Sequence, residues 1–492
     1  MKRLNTLLGA LVVSMALTAQ TMNVEMGQVT HCYKAAKTGR MSYNDSQHLT
    51  INGLTYTIGD ITGITVDDSA VEEASVMVTY DGESAAVRIS GDVAPFITAK
   101  VNGAHVTVLA ASNLEQEITY TLSGSSTNGS FYMDGKLKAT FVFNNLGLVN
   151  PDSAAVNLQC GKRLKIKLED GTENVLVDGI NGANDGSDTH KAAFYINGHS
   201  EWTGGGKLTV LGTVKHALAT DEYVEFGKKL GTVFFTTKNG DGLHVNEYFE
   251  MKGGTANFLC QGDGIDVEKK KSSEDERNGQ IIISGGKLEI YSDGYANKGM
   301  KCEGDMLISD GNIYANTTGE AVYEAAENDI SSCACAKPDG TFTMTGGEIK
   351  FISTGAGGKG INANGAITIS GGTLTVVTIG DVFEDGSLDT KPHAIKCDAD
   401  IVLEGGSILS CASQEDGNAF KTDFYVFMNG ATVMGVGGKK TSPATTSTCN
   451  FKNYKDVKVV GGQTLSYDGV TFTIPEGYSN SSAKIVVSSP SM

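Results

Sequence analysis

The sequence predicts an all-β fold, specifically a right-handed single-stranded parallel β-helix (a solenoid), and three observations predict it. A phrase of one small and one apolar residue recurs at intervals of 22 to 39 residues from about residue 150 onward. Glycine turns interleave with that phrase, and the short segments between them alternate polar and apolar residues.

The phrase stands at Ala155-Val156, Ala193-Phe194, Ala217-Leu218, Gly242-Leu243, Gly264-Ile265, Gly299-Met300, Ala321-Val322, Gly360-Ile361, Ala394-Ile395 and Ala419-Phe420. Its shortest intervals, 22 to 25 residues, set the length of one coil. That length fits three strands of about four or five residues joined by turns, and longer intervals fit one coil carrying an inserted loop. The small residue is expected where the coil bends too sharply for a large side chain. Turn glycines follow at Gly205-Gly206, Gly253-Gly254, Gly285-Gly286, Gly346-Gly347, Gly371-Gly372 and Gly405-Gly406. Alternation sends Phe342, Met344, Ile367 and Ile369 toward one interior. A single coil cannot bury them, whereas stacked coils give each strand a hydrogen-bonded neighbour and form a continuous core. Leucine-rich repeats share the period but not the residues. A chain of β-sandwich modules accounts for the alternation, but has no need of a repeated small-apolar pair.

The expected organisation is a secretory signal peptide over 1–19, an N-terminal cap or irregular segment over 20–65, and the β-helical body over 66–490. Met1-Lys2-Arg3 is a basic start, Leu4 to Leu17 an apolar stretch, and Thr18-Ala19-Gln20 a processing site, so the chain is expected to be exported, to an extracellular, cell-surface or periplasmic location. The apolar stretch is too short for a membrane span, and none is expected in the mature chain. Val459 to Ser489 reads as strand, turn and strand closing the far end.

The chain has 492 residues with 62 Gly, 7 Pro and a formal net charge of -18, which disfavours nucleic acid as a partner. An acidic polysaccharide is repelled too, unless a cation or local lysines intervene. Nine cysteines, an odd number, leave at least one unpaired within the chain, and their wide spacing suits small buried hydrophobes better than a disulfide scaffold.

Gly240-Asp-Gly-Leu243 and Gly262-Asp-Gly-Ile-Asp266 place carboxylates at equivalent turns of adjacent units. Asp241 and Asp263 are then about 4.8 Å apart along the stack. A hard cation relieves their repulsion, and calcium is the expected one, with Asp266, Glu268 and Asp275 as further oxygen ligands. The competing reading is a set of solvated turns, because no complete calcium loop is present. The loop Asp178 to Asp188 is read mainly as an exposed turn. The histidines, His190, His199, His216, His244 and His393 among them, show no zinc spacing. His216 and His393 instead share the position before the small residue with Asp241, Asp263, Lys298 and Lys359, as a mixed polar ladder. Trp202, read as lying near a surface turn, Tyr223 and Tyr248 are candidate sugar-stacking residues, with Lys298 and Lys359 for polar or charged sugar groups. No catalytic triad or glycosidase carboxylate pair stands out, so the chain is not read as an enzyme.

Lys191-Ala-Ala-Phe194, Gly240-Asp-Gly-Leu243, Gly262-Asp-Gly-Ile265 and Lys359-Gly-Ile361 resemble the bacterial secreted carbohydrate-binding β-helix family, over roughly 150 to 430. The resemblance implies a fold similar to pectate lyases, bound calcium, and binding of cell-wall polysaccharide, with acidic pectic sugars foremost. It carries the calcium role to Asp241, Asp263 and Asp266, while Lys298 interrupts a continuous calcium ladder. The expected function is binding of an extended cell-wall polysaccharide with calcium stabilising the acidic turns. The alternatives are a surface structural or adhesion protein, and a calcium-dependent lyase using Lys298, Lys301 or Lys359 as base.

Overall fold

The computed structural model describes residues 20–38, 41–43, 45–179 and 191–492. The expected signal segment 1–19, most of the loop 178–188, and His190 lie outside the described residues. Among the described residues two sheets, of 25 and 13 strands, carry the body.

The thirteen-stranded sheet is parallel from Ala104–Ala110 through to Phe420–Lys421. Its inward file runs Leu218, Leu243, Ile265, Met300, Ala336, Ile361, Ile395, Phe420, each paired with the next. All of these side chains are buried, and each large one contributes roughly 1.5–3 kcal/mol by leaving water. The small residue beside this file is small for a reason other than a bend. A Cβ on Gly242 would meet Phe258 at 2.5 Å, and one on Gly360 would meet Val376 at 2.0 Å, because the opposite wall packs directly on the backbone there. The file also corrects one expected unit. Val322 opens a hairpin strand, Val322–Glu324, while the coil itself passes through Cys335-Ala336.

The larger sheet forms the other walls. Leu164–Leu168, Ser200–Thr203, Val224–Phe226 and Phe249–Met251 make one parallel run. Glu173–Val177, Lys207–Gly212, Thr232–Thr237 and Thr255–Cys260 make another. Both runs pair with the same strand, Ile281–Ser292. That strand, Met306–Thr317, Ile367–Thr378 and Ile401–Ala412 each have 12 residues and serve both walls. Gly286, Gly372 and Gly406 have φ of 94°, 81° and 82°, a left-handed conformation that lets the strand bend with a local register shift.

The expectation of an open right-handed single-stranded parallel β-helix from 66 to 490 is therefore corrected, while the all-β class stands. Two walls belong to one continuous sheet, which closes with the thirteen-stranded sheet around the main core. The ends are closed as well, by antiparallel strands. Ser75–Asp81 pairs with Ser84–Ser90, and Ser479–Ser488 pairs with Thr432–Gly437 and Phe451–Val460.

At one corner Gly294, Gly319, Gly355 and Gly380 succeed one another. A Cβ on each of the last three would lie 1.8, 1.7 and 1.9 Å from the carbonyl oxygen of the glycine before it. All nine cysteines are free thiols, eight of them buried. No helix among the described residues is long and apolar enough to cross a membrane.

Candidate functional site

Two insertions build walls on the outer face of the thirteen-stranded sheet. One is the antiparallel hairpin Val322–Glu324 with Asp329–Ser331, the other Phe383–Asp385 with Leu388–Thr390. Between them and the sheet lies a cleft of about 500 Å³ lined by Lys298, Lys337, Lys359, Asn362 and Lys396, with Glu327, Asp329 and Asp389 among the hairpin residues. The outward file of the sheet explains this lining. It runs Tyr195, Ala219, His244, Asp266, Lys301 and Lys337, and continues from Asn362 through Lys396 to Lys421. Most of its lysines are neutralised by an aspartate two residues on: Lys337 by Asp339 at 2.7 Å, Lys396 by Asp398 at 3.0 Å, and Lys421 by Asp423. Lys298 and Lys359 differ. Neither has a carboxylate at ion-pair distance among the described residues. Lys298 Nζ donates to Ala296 O at 2.5 Å and Ser331 Oγ at 3.2 Å. Lys359 Nζ, almost wholly buried, donates to Thr390 Oγ1 at 2.7 Å, Gly357 O at 2.8 Å and Ser332 Oγ at 3.1 Å. Burial, aided by the charge of Lys396, pushes the Lys359 ammonium down to about 7.

The expected acidic ladder has a structural job. The Asp241 N–H donates to His216 Nδ1 at 3.0 Å, the Asp263 N–H to Asp241 Oδ1 at 2.8 Å, and the Lys298 N–H to Asp263 Oδ1 at 2.6 Å. Each side chain thus caps a backbone amide of the next coil. Burial and the neighbouring Asp241 raise Asp263 to about 7. Burial opposes ionisation of Asp241 too, but His216 and His244 overcome it and hold that carboxyl well below its usual range.

The five expected calcium ligands do not form one oxygen cage. Asp241 Oδ2 lies 3.1 Å from His216 Nδ1 and 3.4 Å from His244 Nδ1. Asp266 meets His244 at 3.5 Å and Lys301 at 3.1 Å. Glu268 is exposed and, among the described residues, groups with His244 and Asp266, while Asp275 pairs with Arg277 at 2.9 Å. Calcium takes six to eight oxygens, and a set interleaved with imidazoles and an ammonium does not fit it. What the structure does assemble are groups of His, Asp and Glu able to hold a metal ion: His216, Asp241 and His244; His244, Asp266 and Glu268; and His199, Glu222 and Glu247.

The aromatic expectations fare unevenly. Trp202, 1% exposed, sits in the core with Phe194 and Phe226 each 5.6 Å away, and its Nε1 donates to Ser200 Oγ. It offers no face to a sugar. Tyr248 is also buried, between Tyr223 at 4.7 Å and the Arg277 guanidinium at 3.9 Å. Tyr223 is half-buried, stacked between His199 and Tyr248. Among the described residues the aromatics open to solvent are Tyr295, Tyr425, Phe424, Tyr43, Tyr291 and Phe234. Phe424 and Tyr425 escaped the sequence reading because they follow the last small-apolar phrase as an isolated pair.

A family model described as carbohydrate-binding domain-containing protein matches residues 102–386. The resemblance read from the sequence, over roughly 150 to 430, is corrected in extent, since the match takes in the earlier strands and stops before the last coils. A carbohydrate-binding domain-containing protein of Acetivibrio thermocellus is 28% identical over 247 residues, covering 43% of this chain and 82% of the relative. A solved polysaccharide lyase-like protein from C. thermocellum, studied as a gadolinium derivative, is 19% identical, covers 60% of this chain and 97% of its own, and superposes with a TM-score of 0.42. The implied β-helical, pectate-lyase-like family is corrected by the family match and by the closure of the sheets described above: the chain belongs to the carbohydrate-binding domain-containing protein family.

Proposed function

Because the chain belongs to the carbohydrate-binding domain-containing protein family, we propose that it is an exported protein that binds an extended polysaccharide in the cleft over the thirteen-stranded sheet. The observation that carries this reading is the lining: Asn362, the charge-balanced Lys337 and Lys396, and beside them Lys298 and Lys359, two lysines with no carboxylate partner among the described residues. Polar side chains at about 4.8 Å spacing across neighbouring strands of a parallel sheet match the repeated hydroxyls of a polymer. Lys298, close to the hairpin, is placed to receive a sugar carboxylate, which favours an acidic glycan of the pectic class despite the overall negative charge.

Affinity electrophoresis and calorimetry with polygalacturonate, against neutral glucan and xylan, test this. The expected result is binding of the acidic polymer that weakens with salt and falls at least tenfold in Lys298→Met. Equal binding of all polymers, or an unchanged Lys298→Met, sinks the uronate reading, and no binding to any of them sinks the cleft as a glycan site. One observation favours a lyase reading as well. An amine titrating near 7 is able to accept a proton, and Lys359 lines this cleft. Sustained ultraviolet absorbance from unsaturated products, lost in Lys359→Met, would support it.

A further inference from the structure

His199, Glu222 and Glu247 stand at one corner of three successive coils, just ahead of Ser200–Thr203, Val224–Phe226 and Phe249–Met251, which pair in parallel. One ligand atom from each, an imidazole nitrogen and two carboxylate oxygens, lies within 4.8 Å of the others. His199 Nδ1, Glu222 Oε2 and Glu247 Oε2 are buried, and none makes a hydrogen bond. Yet the imidazole nitrogen is 2.6 Å from the Glu222 oxygen and 3.9 Å from the Glu247 oxygen. Atoms that close without hydrogen-bond alignment do not satisfy each other, and buried groups left so call for a further partner such as an ion. The Glu247 side chain is only 9% exposed, so leaving its oxygen unpartnered is costly.

The surroundings hold these groups in place. Lys270 Nζ binds the other oxygen of Glu222, and Ser273 Oγ donates to the other oxygen of Glu247. Both come from the segment between Ile265–Val267 and Ile281–Ser292, which covers the corner. The His199 ring lies on Tyr223 at 4.5 Å. Each carboxylate therefore has one oxygen anchored and one turned inward, the arrangement that orients metal ligands.

We infer that His199, Glu222 and Glu247 hold one divalent transition metal of the zinc class, with water or a ligand oxygen completing its coordination. One imidazole nitrogen and two carboxylate oxygens suit zinc, which binds three protein ligands and leaves a fourth position open. Three donors, one of them an imidazole nitrogen, are too few for calcium, which takes six to eight oxygens. Two carboxylates and a neutral imidazole also balance the charge of a divalent ion. The site stands apart from the cleft lysines and is independent of the glycan reading.

The test uses the full chain, stripped with a chelator and titrated by calorimetry with zinc chloride and with calcium chloride. The expected result is one zinc ion per chain, bound at least a hundredfold more tightly than calcium, with a higher melting temperature on loading. Glu247→Gln and His199→Ala should each weaken zinc at least tenfold. His244→Asn, which alters the neighbouring His216, Asp241 and His244 group, should leave zinc affinity unchanged. Cobalt(II) added to the unaltered chain provides a readout that needs no variant to fold, as a visible absorption band saturating at one equivalent. Absence of zinc binding and of that band, preference for calcium, or a loss that follows His244→Asn instead of Glu247→Gln overturns the inference. So does a nuclear magnetic resonance titration in which His199 pairs with Glu222 as an imidazolium and ignores added zinc.

Discussion

Replacing Lys359 with methionine removes a charge while keeping much of the side chain's length. The Lys359 ammonium is 3% exposed and its hydrogen-bond partners are all neutral, so burial, with the nearby Lys396, lowers it from the ordinary 10.5 to about 7. Below pH 7 both the folded and unfolded chains carry the proton, and folding bears the full cost of burying it. Between pH 7 and 10.5 the folded chain sheds the proton first, so the cost is relieved as pH rises. At roughly 1.36 kcal/mol per pH unit the full span amounts to about 5 kcal/mol. The variant also loses three hydrogen bonds, each worth about 1 kcal/mol net, although Ser332 and Thr390 still bond each other at 3.1 Å. Lys359→Met is therefore expected to be more stable than the parent by about 2 kcal/mol at pH 6, and less stable by a similar amount at pH 10. Urea midpoints of both proteins at the two pH values check this, because titrations elsewhere cancel in the difference. A gap between parent and variant that stays constant from pH 6 to pH 10 would refute the reasoning, since it would mean that Lys359 keeps an ordinary pKa.

Three further outcomes are expected. Trp202→Ala should cost about 3–5 kcal/mol as a core truncation, read as a lower melting temperature with unchanged glycan affinity in the protein that remains folded; the reverse pattern would put Trp202 at a binding surface. His244 is held protonated because Asp241 and Asp266 outweigh its burial and raise it to about 9. Its stabilisation should be complete below about pH 6.5 and fade as pH rises to 9, and a resonance titration with a midpoint near 6.5, unmoved by Asp266→Asn, would contradict this. Gly355→Ala puts a methyl 1.7 Å from the Gly319 carbonyl oxygen and should cost several kcal/mol, about what a backbone clash exacts. Gly59→Ala, with nothing within 4 Å, should stay within about 0.5 kcal/mol in the same melting assay.

The repeat could be read from the sequence because its inward residues must be apolar in every coil, and Leu243, Ile265, Met300, Ile361 and Ile395 are. Cys335-Ala336 escaped because a cysteine stands where other coils have glycine or alanine, while Ala321-Val322 imitated the phrase from within a hairpin. The fusion of two walls into one strand was not visible, since a glycine pair looks the same whether the chain reverses or merely bends; only the hydrogen-bond partners of Ile281–Ser292 decide it. The burial of Trp202 did leave a signal. Ser200-Glu-Trp202, Val224-Glu-Phe226 and Phe249-Glu-Met251 align in successive coils with the glutamate outward and the third residue inward. His199, Glu222 and Glu247 left less, because His199 stands one residue before its strand and the glutamates two. Their convergence depends on how far each side chain reaches across three coils.

The two hairpins beside the cleft leave the ladder and rejoin it without disturbing its register: Lys298 pairs with Ala334 across the first, and Ile361 with Ile395 across the second. Extra length in such an excursion adds little closure entropy, and the apolar file beneath is unaffected by what the excursion contains. The rim is thus free to diversify in an evolving lineage while the scaffold is conserved by its own packing. Exchanging only 322–331 and 383–390 between relatives should transfer their choice of glycan without refolding the body, which makes this chain a platform for grafted specificity.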